Sequence, residues 1–242
     1  MTAVLARRVL AELVGTALLV MAIIGSGIAA SRLSPGDVGL QLLENSLATG
    51  AALVALILAF QPISAAFNPL VTLAERVSGL VGTKETAALI GAQLAGGVLG
   101  ALLANLMFGL PAISLSTHTR SGAGLWLGEV IATAGLVLVI FAAARAGRPD
   151  RIAYAVGGYI TAAYWFTSST SFANPAVTIA RMFSDTFAGI APSSVPPFLL
   201  AQIVGGAIGY ALVRTIYPRT IPIPNNEDDH DRQPARSATD HT

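Results

Sequence analysis

The chain has 242 residues, of which 54% are hydrophobic and only 11% are charged, and it contains 24 glycines. This composition excludes a soluble globular domain of that size and predicts a polytopic membrane protein. The formal net charge of +1 and the scattered basic residues argue against nucleic-acid binding, and the absence of cysteine excludes disulfides and thiolate metal sites.

The first half of the chain contains three apolar stretches long enough to cross a bilayer, at residues 9–30, 38–60 and 86–108. Between the second and third lies a polar segment in which Asn68 is suited to cap a helix and Pro69 to occupy its first turn. A helix over residues 68–78 would be about 16 Å long, roughly half of a hydrocarbon core of about 30 Å. The sequence therefore predicts a short helix that enters the membrane without crossing it.

The second half follows the same order after a connecting loop at residues 109–122. Apolar stretches at residues 123–144, 152–166 and 195–217 predict three more spans, and Asn174-Pro175 begins a second short helix before the last of them. Residues 1–8 precede the first span. Residues 218–242 are rich in proline, acidic and polar side chains, and we expect a disordered tail.

The two halves are copies of one unit. The pattern Phe-(Ala)-Asn-Pro-x-Val-Thr-(Leu/Ile)-Ala occurs at residues 67–74 and 172–180, and the segment at residues 92–100 matches residues 201–209. Because each half has an odd number of spans, the halves have opposite orientations in the membrane. The sequence thus predicts an inverted repeat of two pore units, residues 9–108 and 123–217.

Basic residues predict the orientation of the chain. With both termini in the cytoplasm, the inner segments hold more of them than the outer segments, as is usual for a multi-pass protein of the cell membrane. The inner set is Arg7, Arg8, Arg76, Lys84, Arg145, Arg148, Arg151 and Arg219, and the outer set is Arg32, Arg120 and Arg181.

The two Asn-Pro segments predict a pore, because non-helical backbone at membrane depth is tolerated only inside protein or beside a water-filled cavity. If the short helices meet end to end, each contributes about half a positive charge, and Asn68 and Asn174 offer amide donors. Such a centre disfavours cations and interrupts proton-conducting water, whereas a neutral hydroxylated solute accepts these hydrogen bonds.

The paired Asn-Pro boxes, together with Glu12, Glu129, Gln93 and Gln202, resemble the major intrinsic protein family of aquaporins and aquaglyceroporins, from about residue 10 to residue 217. The resemblance implies an all-α membrane fold of six transmembrane helices and two re-entrant half-helices, and a homotetramer in the lipid bilayer with one pore per subunit. It also implies that the two acids and the two glutamines support the re-entrant loops, and that the pore midplane is formed by Asn68, Pro69, Leu70, Asn174, Pro175 and Ala176.

Two departures from the family pattern stand out. Leu70 replaces the usual alanine of the first box, and Val177 stands where typical members have an arginine in the outer selectivity filter. By the family's spacing, the other filter positions are Ala48, Ala162 and Ser171, which predicts a wide filter without a fixed cation. Arg181 is one turn beyond Val177, so it faces the outer mouth of the pore, extends to the membrane interface, or pairs with Asp185.

These observations lead to a functional hypothesis. We expect a passive channel for small neutral solutes: glycerol-like polyols, water, and metalloid acids such as arsenite or methylated arsenicals, the last because members without the filter arginine resemble an arsenic-resistance branch. The alternative is an ion-coupled secondary transporter, since transporters also use inverted repeats. An enzyme is not expected, because there is no cysteine and no histidine in a span, and neither a cofactor nor a metal is implied.

Overall fold

The computed structural model describes residues 2–218, and these residues form an all-helical protein. Eight α-helices occur within this range, and no strand does. The helices are α1 Ala3–Leu33, α2 Val38–Phe60, α3 Pro69–Val77, α4 Thr83–Met107, α5 Ala123–Arg145, α6 Ile152–Phe166, α7 Pro175–Arg181 and α8 Val195–Ile216. The expected tail falls at residues 219–242, outside the described residues.

Helix ends occur where the local chemistry favours them. The Asp37 carboxylate caps α2 by accepting a hydrogen bond from the Leu40 amide at 2.9 Å, and Gln61-Pro62 follows the end of that helix. Gly79, with φ of +78°, follows α3 in the left-handed conformation that terminates many helices. The bounds of α2 and α6 are those predicted from the sequence, whereas α1 begins six residues earlier than predicted, at Ala3.

Five helices are long and apolar enough to cross a membrane: α1, α2, α4, α5 and α8. The remaining predicted transmembrane helix, α6, has 15 residues and is about 22 Å long. A 3₁₀ turn at Pro149–Arg151 precedes it. The short helices α3 and α7 have 9 and 7 residues. They reach only about 14 Å and 10 Å, so neither crosses a hydrocarbon core of about 30 Å.

Helix packing repeats between the halves. Helix α1 packs against α2 and α4, and its counterpart α5 packs against α6 and α8. Helix α7 of the second half packs against α4 of the first, just as α3 packs against α8. The halves are therefore interleaved, and the two short helices lie between them.

The outer surface of the helices is apolar. Large hydrophobic side chains remain exposed on every long helix, including Leu47 and Leu58 on α2, Leu99 on α4, Leu127 on α5 and Leu200 on α8. Polar side chains are instead found inside: Glu12, Gln93, Glu129 and Gln202 are fully buried. Apolar side chains on the outside and polar side chains on the inside are expected of a protein that is surrounded by a lipid bilayer.

Candidate pore and selectivity site

Helices α3 and α7 begin at the two asparagines of the repeated pattern. The Asn68 Oδ1 accepts a hydrogen bond from the Leu70 amide at 3.0 Å, and the Asn174 Oδ1 accepts one from the Ala176 amide at 3.0 Å. Proline occupies the first turn of both helices. Each side chain thus satisfies an orphan N–H of its own helix and directs the positive helix end toward the interior.

The two asparagines also bond across the midplane. The Asn68 Nδ2 donates to the Ala173 carbonyl at 2.8 Å, and the Asn174 Nδ2 donates to the Phe67 carbonyl at 2.7 Å. Phe67 and Ala173 have φ of 47° and 48°, a strained conformation for residues with a side chain. Because an amide nitrogen carries two hydrogens, each asparagine keeps one N–H for a solute, and both residues line the central cavity.

Two buried carboxylates hold the strained loops. The Glu12 carboxylate accepts from the Ser64 hydroxyl at 2.6 Å and from the Ala66 and Phe67 amides at 2.9 and 2.7 Å. The Glu129 carboxylate accepts from the Phe172 and Ala173 amides at 2.8 and 2.9 Å. Both acids are fully buried, so these bonds compensate the loss of hydration of the carboxylates.

The buried glutamines connect each acid to its short helix. The Gln93 Nε2 donates to Glu12 and to the Thr72 hydroxyl of α3, both at 2.8 Å. The Gln202 Nε2 donates to Glu129 at 2.6 Å and to the Thr178 hydroxyl of α7 at 2.8 Å. The same chain of hydrogen bonds thus supports both half-helices.

A cavity of about 290 Å³ runs beside the asparagines. One end is lined by Gln61 and Glu75, and the other by Tyr164 and Arg181. The re-entrant loops and the starts of the short helices supply polar groups to the lining, and α1, α2, α5 and α6 supply aliphatic side chains: Leu19, Ile23, Leu53, Ile57, Leu136, Ile140, Val156 and Ile160. A lining of both kinds suits a solute that carries both hydroxyls and C–H groups.

The structure corrects two of the expected filter positions. Ala48 is partly buried and Ala162 is exposed, and neither lines the cavity. The cavity wall is formed instead by Thr49 and Tyr164, whose hydroxyls are 3.2 Å apart. One helical position turns a side chain by about 100°, so counting residues along a helix cannot fix which one faces inward.

Ser171 and Val177, the other two expected positions, do line the cavity. The Ser171 hydroxyl is buried and has no hydrogen-bond partner within the described residues. A buried hydroxyl without a partner is costly unless something in the cavity binds it, and a solute hydroxyl can do so.

Arg181 lines the same cavity as Val177, so a cation lies one helical turn beyond the expected filter position. Its side chain is only 3% exposed, its Nε donates to the Ala188 carbonyl, and its guanidinium lies 3.5 Å from the centre of the Phe172 ring. It does not pair with Asp185. That carboxylate instead accepts from the Thr117 amide at 2.8 Å, which holds the pKa of Asp185 below its usual range.

Leu70 lies away from the cavity. It is 7% exposed and faces α8 beside Gly206, where a Cβ would lie 3.7 Å from the nearest Leu70 carbon. Ala176 occupies the corresponding place on α7, next to Gly97 of α4. The larger residue of the first box therefore fills a helix contact and does not narrow the pore. Pro69, Pro175 and Ala176 do not line the cavity either.

The sequence did not indicate three residues of this site. Thr49 and Tyr164 are polar residues in the membrane-embedded helices α2 and α6, and such residues are candidates for cavity-facing positions. In the sequence, Phe172 stands out only as part of the repeated pattern. Its ring supports the guanidinium of Arg181, a contact that depends on the path of the loop before α7.

Two short helices that meet inside an inverted helical repeat, beside a cavity lined by both Asn68 and Asn174, define a channel-forming integral membrane protein. The chain belongs to the major intrinsic protein family, whose pattern matches residues 1–152. It is similar to aquaglyceroporin AqpS of Rhizobium meliloti (strain 1021), with 47% identity over 220 residues that cover 90% of this chain and 94% of the relative.

A more distant relative is the probable aquaporin NIP7-1 of Arabidopsis thaliana, 28% identical over 232 residues that cover 90% of this chain and 80% of the relative. Among solved structures, the aquaglyceroporin from Plasmodium falciparum superposes with a TM-score of 0.67 at 21% identity and covers 90% of this chain and 97% of that one. This likeness confirms the predicted fold of six transmembrane helices and two half-helices.

Proposed function

We propose that the channel conducts small neutral solutes broader than water, namely glycerol-like polyols and metalloid acids such as arsenite or methylated arsenicals, together with water. The observation that carries this proposal is the cavity of about 290 Å³, which is lined both by the asparagine amides and by aliphatic side chains. A polyol matches both kinds of lining, and Ser171 offers an unoccupied hydroxyl near the outer end.

Stopped-flow light scattering on proteoliposomes tests this selectivity. When the proteoliposomes are mixed with excess glycerol, we expect them to shrink first and then to re-swell as glycerol enters. Arsenous acid should give the same time course. Empty liposomes provide the background. Rapid water flux without measurable flux of glycerol would contradict the proposal.

Val177 is the residue that most directly controls the width of the outer end. It is 3% exposed and lines the cavity on the same helix as Arg181. In Val177→Arg a second guanidinium would stand one turn from the first, which narrows the pore and adds repulsion. A barrier raised by about 1.4 kcal/mol lowers a rate about tenfold, and we expect glycerol flux to fall by at least that factor.

The matched control is Val177→Ala, which removes volume without adding charge. We expect this variant to conduct glycerol at least as fast as the wild type, and we expect water flux to fall less than glycerol flux in Val177→Arg. Equal glycerol flux in the wild type and Val177→Arg, at equal protein per liposome, would be inconsistent with a width-limiting Val177.

An ion-coupled transporter is the alternative, and the site gives it little support. A coupling site needs a titratable group free to bind an ion at the midplane, but the oxygens of Glu12 and Glu129 already accept hydrogen bonds from the loops. Glycerol uptake that depends on an imposed proton or sodium gradient would favour the transporter.

The proposal extends to the setting of the channel. We infer a homotetramer in the cell membrane with cytoplasmic termini and one pore per subunit, as the resemblance to the family implies. The apolar outer surface supports placement in a bilayer, since Leu47, Leu58 and Leu200 are 54%, 43% and 63% exposed.

A further inference from the structure

A second cavity, of about 200 Å³, lies beside the outer end of the central one, and Arg181 lines both. The second cavity also contains Arg120, from the loop between α4 and α5, with Asn45 and Thr170. We call it the outer vestibule. It therefore holds two guanidinium groups at the entrance to the pore.

The two arginines are held by the same short segment of backbone. The Arg120 Nε donates to the Gly189 carbonyl at 2.9 Å and its Nη2 to the Phe187 carbonyl at 3.3 Å, while the Arg181 Nε donates to the Ala188 carbonyl. Both also approach the Phe172 ring, at 5.2 Å and 3.5 Å from its centre. These partners orient the guanidinium groups but carry no negative charge.

Neither arginine forms an ion pair within residues 2–218. Glu129 is the nearby buried acid, and its oxygens accept from Phe172, Ala173 and Gln202. Asp185 contacts Thr117 and His118. Two cations thus face one carboxylate that is already engaged. Because burying a charge without a counter-charge is costly, this arrangement favours an anion in the vestibule.

Burial lowers the pKa of Arg120, because removing a cation from water disfavours its charged form. Within the described residues, the Arg181 Nε is the single nitrogen of that guanidinium that donates to protein. Its terminal nitrogens can therefore donate to a ligand in either cavity.

We propose that the outer vestibule is a binding site for a small oxyanion, with a monocarboxylate as the simplest example. A carboxylate fits the planar fork of a guanidinium with two hydrogen bonds, and a second guanidinium nearby supplies the remaining charge. Such a ligand would lie across the entrance used by neutral solutes. Only this effect on solute entry rests on the proposed channel function, since binding of the anion itself requires no solute flux.

Isothermal titration calorimetry with sodium acetate, on purified protein in non-ionic detergent and low-chloride buffer, tests the site. We expect saturable binding to the wild type. Loss of a charge-assisted pair of hydrogen bonds in Arg120→Gln should weaken binding at least about tenfold, and Arg120→Lys, which keeps the charge without the fork, should weaken it less.

Arg32→Gln is the matched control. Arg32 also donates to a carbonyl, that of Phe108 at 2.8 Å, and lies 5.2 Å from the centre of the Phe108 ring, but it lines neither cavity. We expect this variant to bind acetate like the wild type. Absence of saturable binding to the wild type, or equal loss of binding in Arg32→Gln and Arg120→Gln, would overturn the proposal.

Two further measurements complete the test. If Arg120→Gln unfolds at a lower temperature than the wild type, Arg181→Lys serves as the second variant, and unchanged acetate affinity in that variant would overturn the site. Glycerol flux in proteoliposomes should fall as acetate is added to the wild type, but not in Arg120→Gln. Added phosphatidylglycerol that competes with acetate would assign the oxyanion to lipid phosphate, and acetate binding that resists it would assign a free anion.

The two proposals fail separately. Protein that conducts glycerol but does not bind acetate would overturn the vestibule site alone. Protein that binds acetate in detergent but conducts no glycerol would overturn the proposed selectivity alone.

Discussion

Glu12 and Glu129 are charged residues used as structural supports inside the membrane. Each accepts hydrogen bonds from two consecutive backbone amides of a re-entrant loop and from a buried glutamine. The loops need this support because Phe67 and Ala173 have positive φ, which costs of order 1–3 kcal/mol each. A carboxylate is suited to the role because it presents only acceptors.

Glu129→Gln should therefore destabilise the protein although it is nearly isosteric. One oxygen becomes an NH₂ group that faces a backbone N–H, and each buried donor left unsatisfied costs about 1–3 kcal/mol. We expect a lower midpoint of thermal unfolding, measured by size-exclusion chromatography of the detergent-solubilised protein after heating. Glu12→Gln should behave alike, because Glu12 accepts the corresponding bonds.

Glu85→Gln provides the comparison for this prediction. Glu85 pairs with Arg8, and the two side chains are 28% and 23% exposed, so its loss should cost less than about 1 kcal/mol. A Glu129→Gln protein as stable as Glu85→Gln would show that the carboxylate does not hold the loop.

At the scale of helices, close packing depends on glycine at defined points. A Cβ on Gly96 of α4 would overlap the Leu13 carbonyl of α1, and one on Gly205 of α8 would overlap the Val130 carbonyl of α5. The same contact thus recurs in both halves. It brings each pair of long helices close enough to place the buried glutamines next to the acids.

Gly96→Ala should consequently force α1 and α4 apart. Overpacking of this kind costs about 1–3 kcal/mol, and the obstacle here is backbone that cannot rotate away. We expect a lower unfolding midpoint and a smaller folded fraction on size-exclusion chromatography. Gly91→Ala is the control on the same helix, since a Cβ there meets nothing within 4 Å, and it should be at least as stable as the wild type.

The sequence predicts elements better than it predicts which side chains face the pore. The bounds of α2 and α6 agree with the structure because Asp37, Pro62 and the length of the apolar runs are local signals. The family's spacing predicts Ala48 and Ala162 as pore-facing residues, but Thr49 and Tyr164 line the cavity instead. Their orientation depends on how α2 and α6 rotate against each other, which is a tertiary property.

Arg181 illustrates the same limit for charge. Its spacing from Val177 indicates a shared helix face, but the sequence leaves its surroundings open between the pore, the membrane interface and Asp185. The structure resolves this because Phe172 and Ala188 flank α7 and hold the guanidinium in place. Both contacts depend on the paths of irregular segments, for which no periodic pattern exists.

The whole molecule combines two oppositely oriented halves around one cavity, and this arrangement bears on the orientation of the chain. Arg120 and Arg181 counted as outer basic residues in the sequence, but both line the vestibule, and Arg181 is 3% exposed. Arg32 is the third basic residue on this side, while Arg145, Arg148 and Arg151 cluster at the opposite end of α5. The excess of basic residues at that end favours cytoplasmic termini.

Labelling of single cysteines tests this orientation, and the absence of native cysteine makes the wild type a clean background. Ser121 precedes α5 and Asp150 follows it, and both are exposed, so Ser121→Cys and Asp150→Cys lie on opposite faces of the membrane. On intact cells a membrane-impermeant maleimide should label Ser121→Cys, while Asp150→Cys should react only after permeabilisation. The reverse pattern would place the termini outside, because Asp150 shares its face with both ends of the chain in a six-span protein.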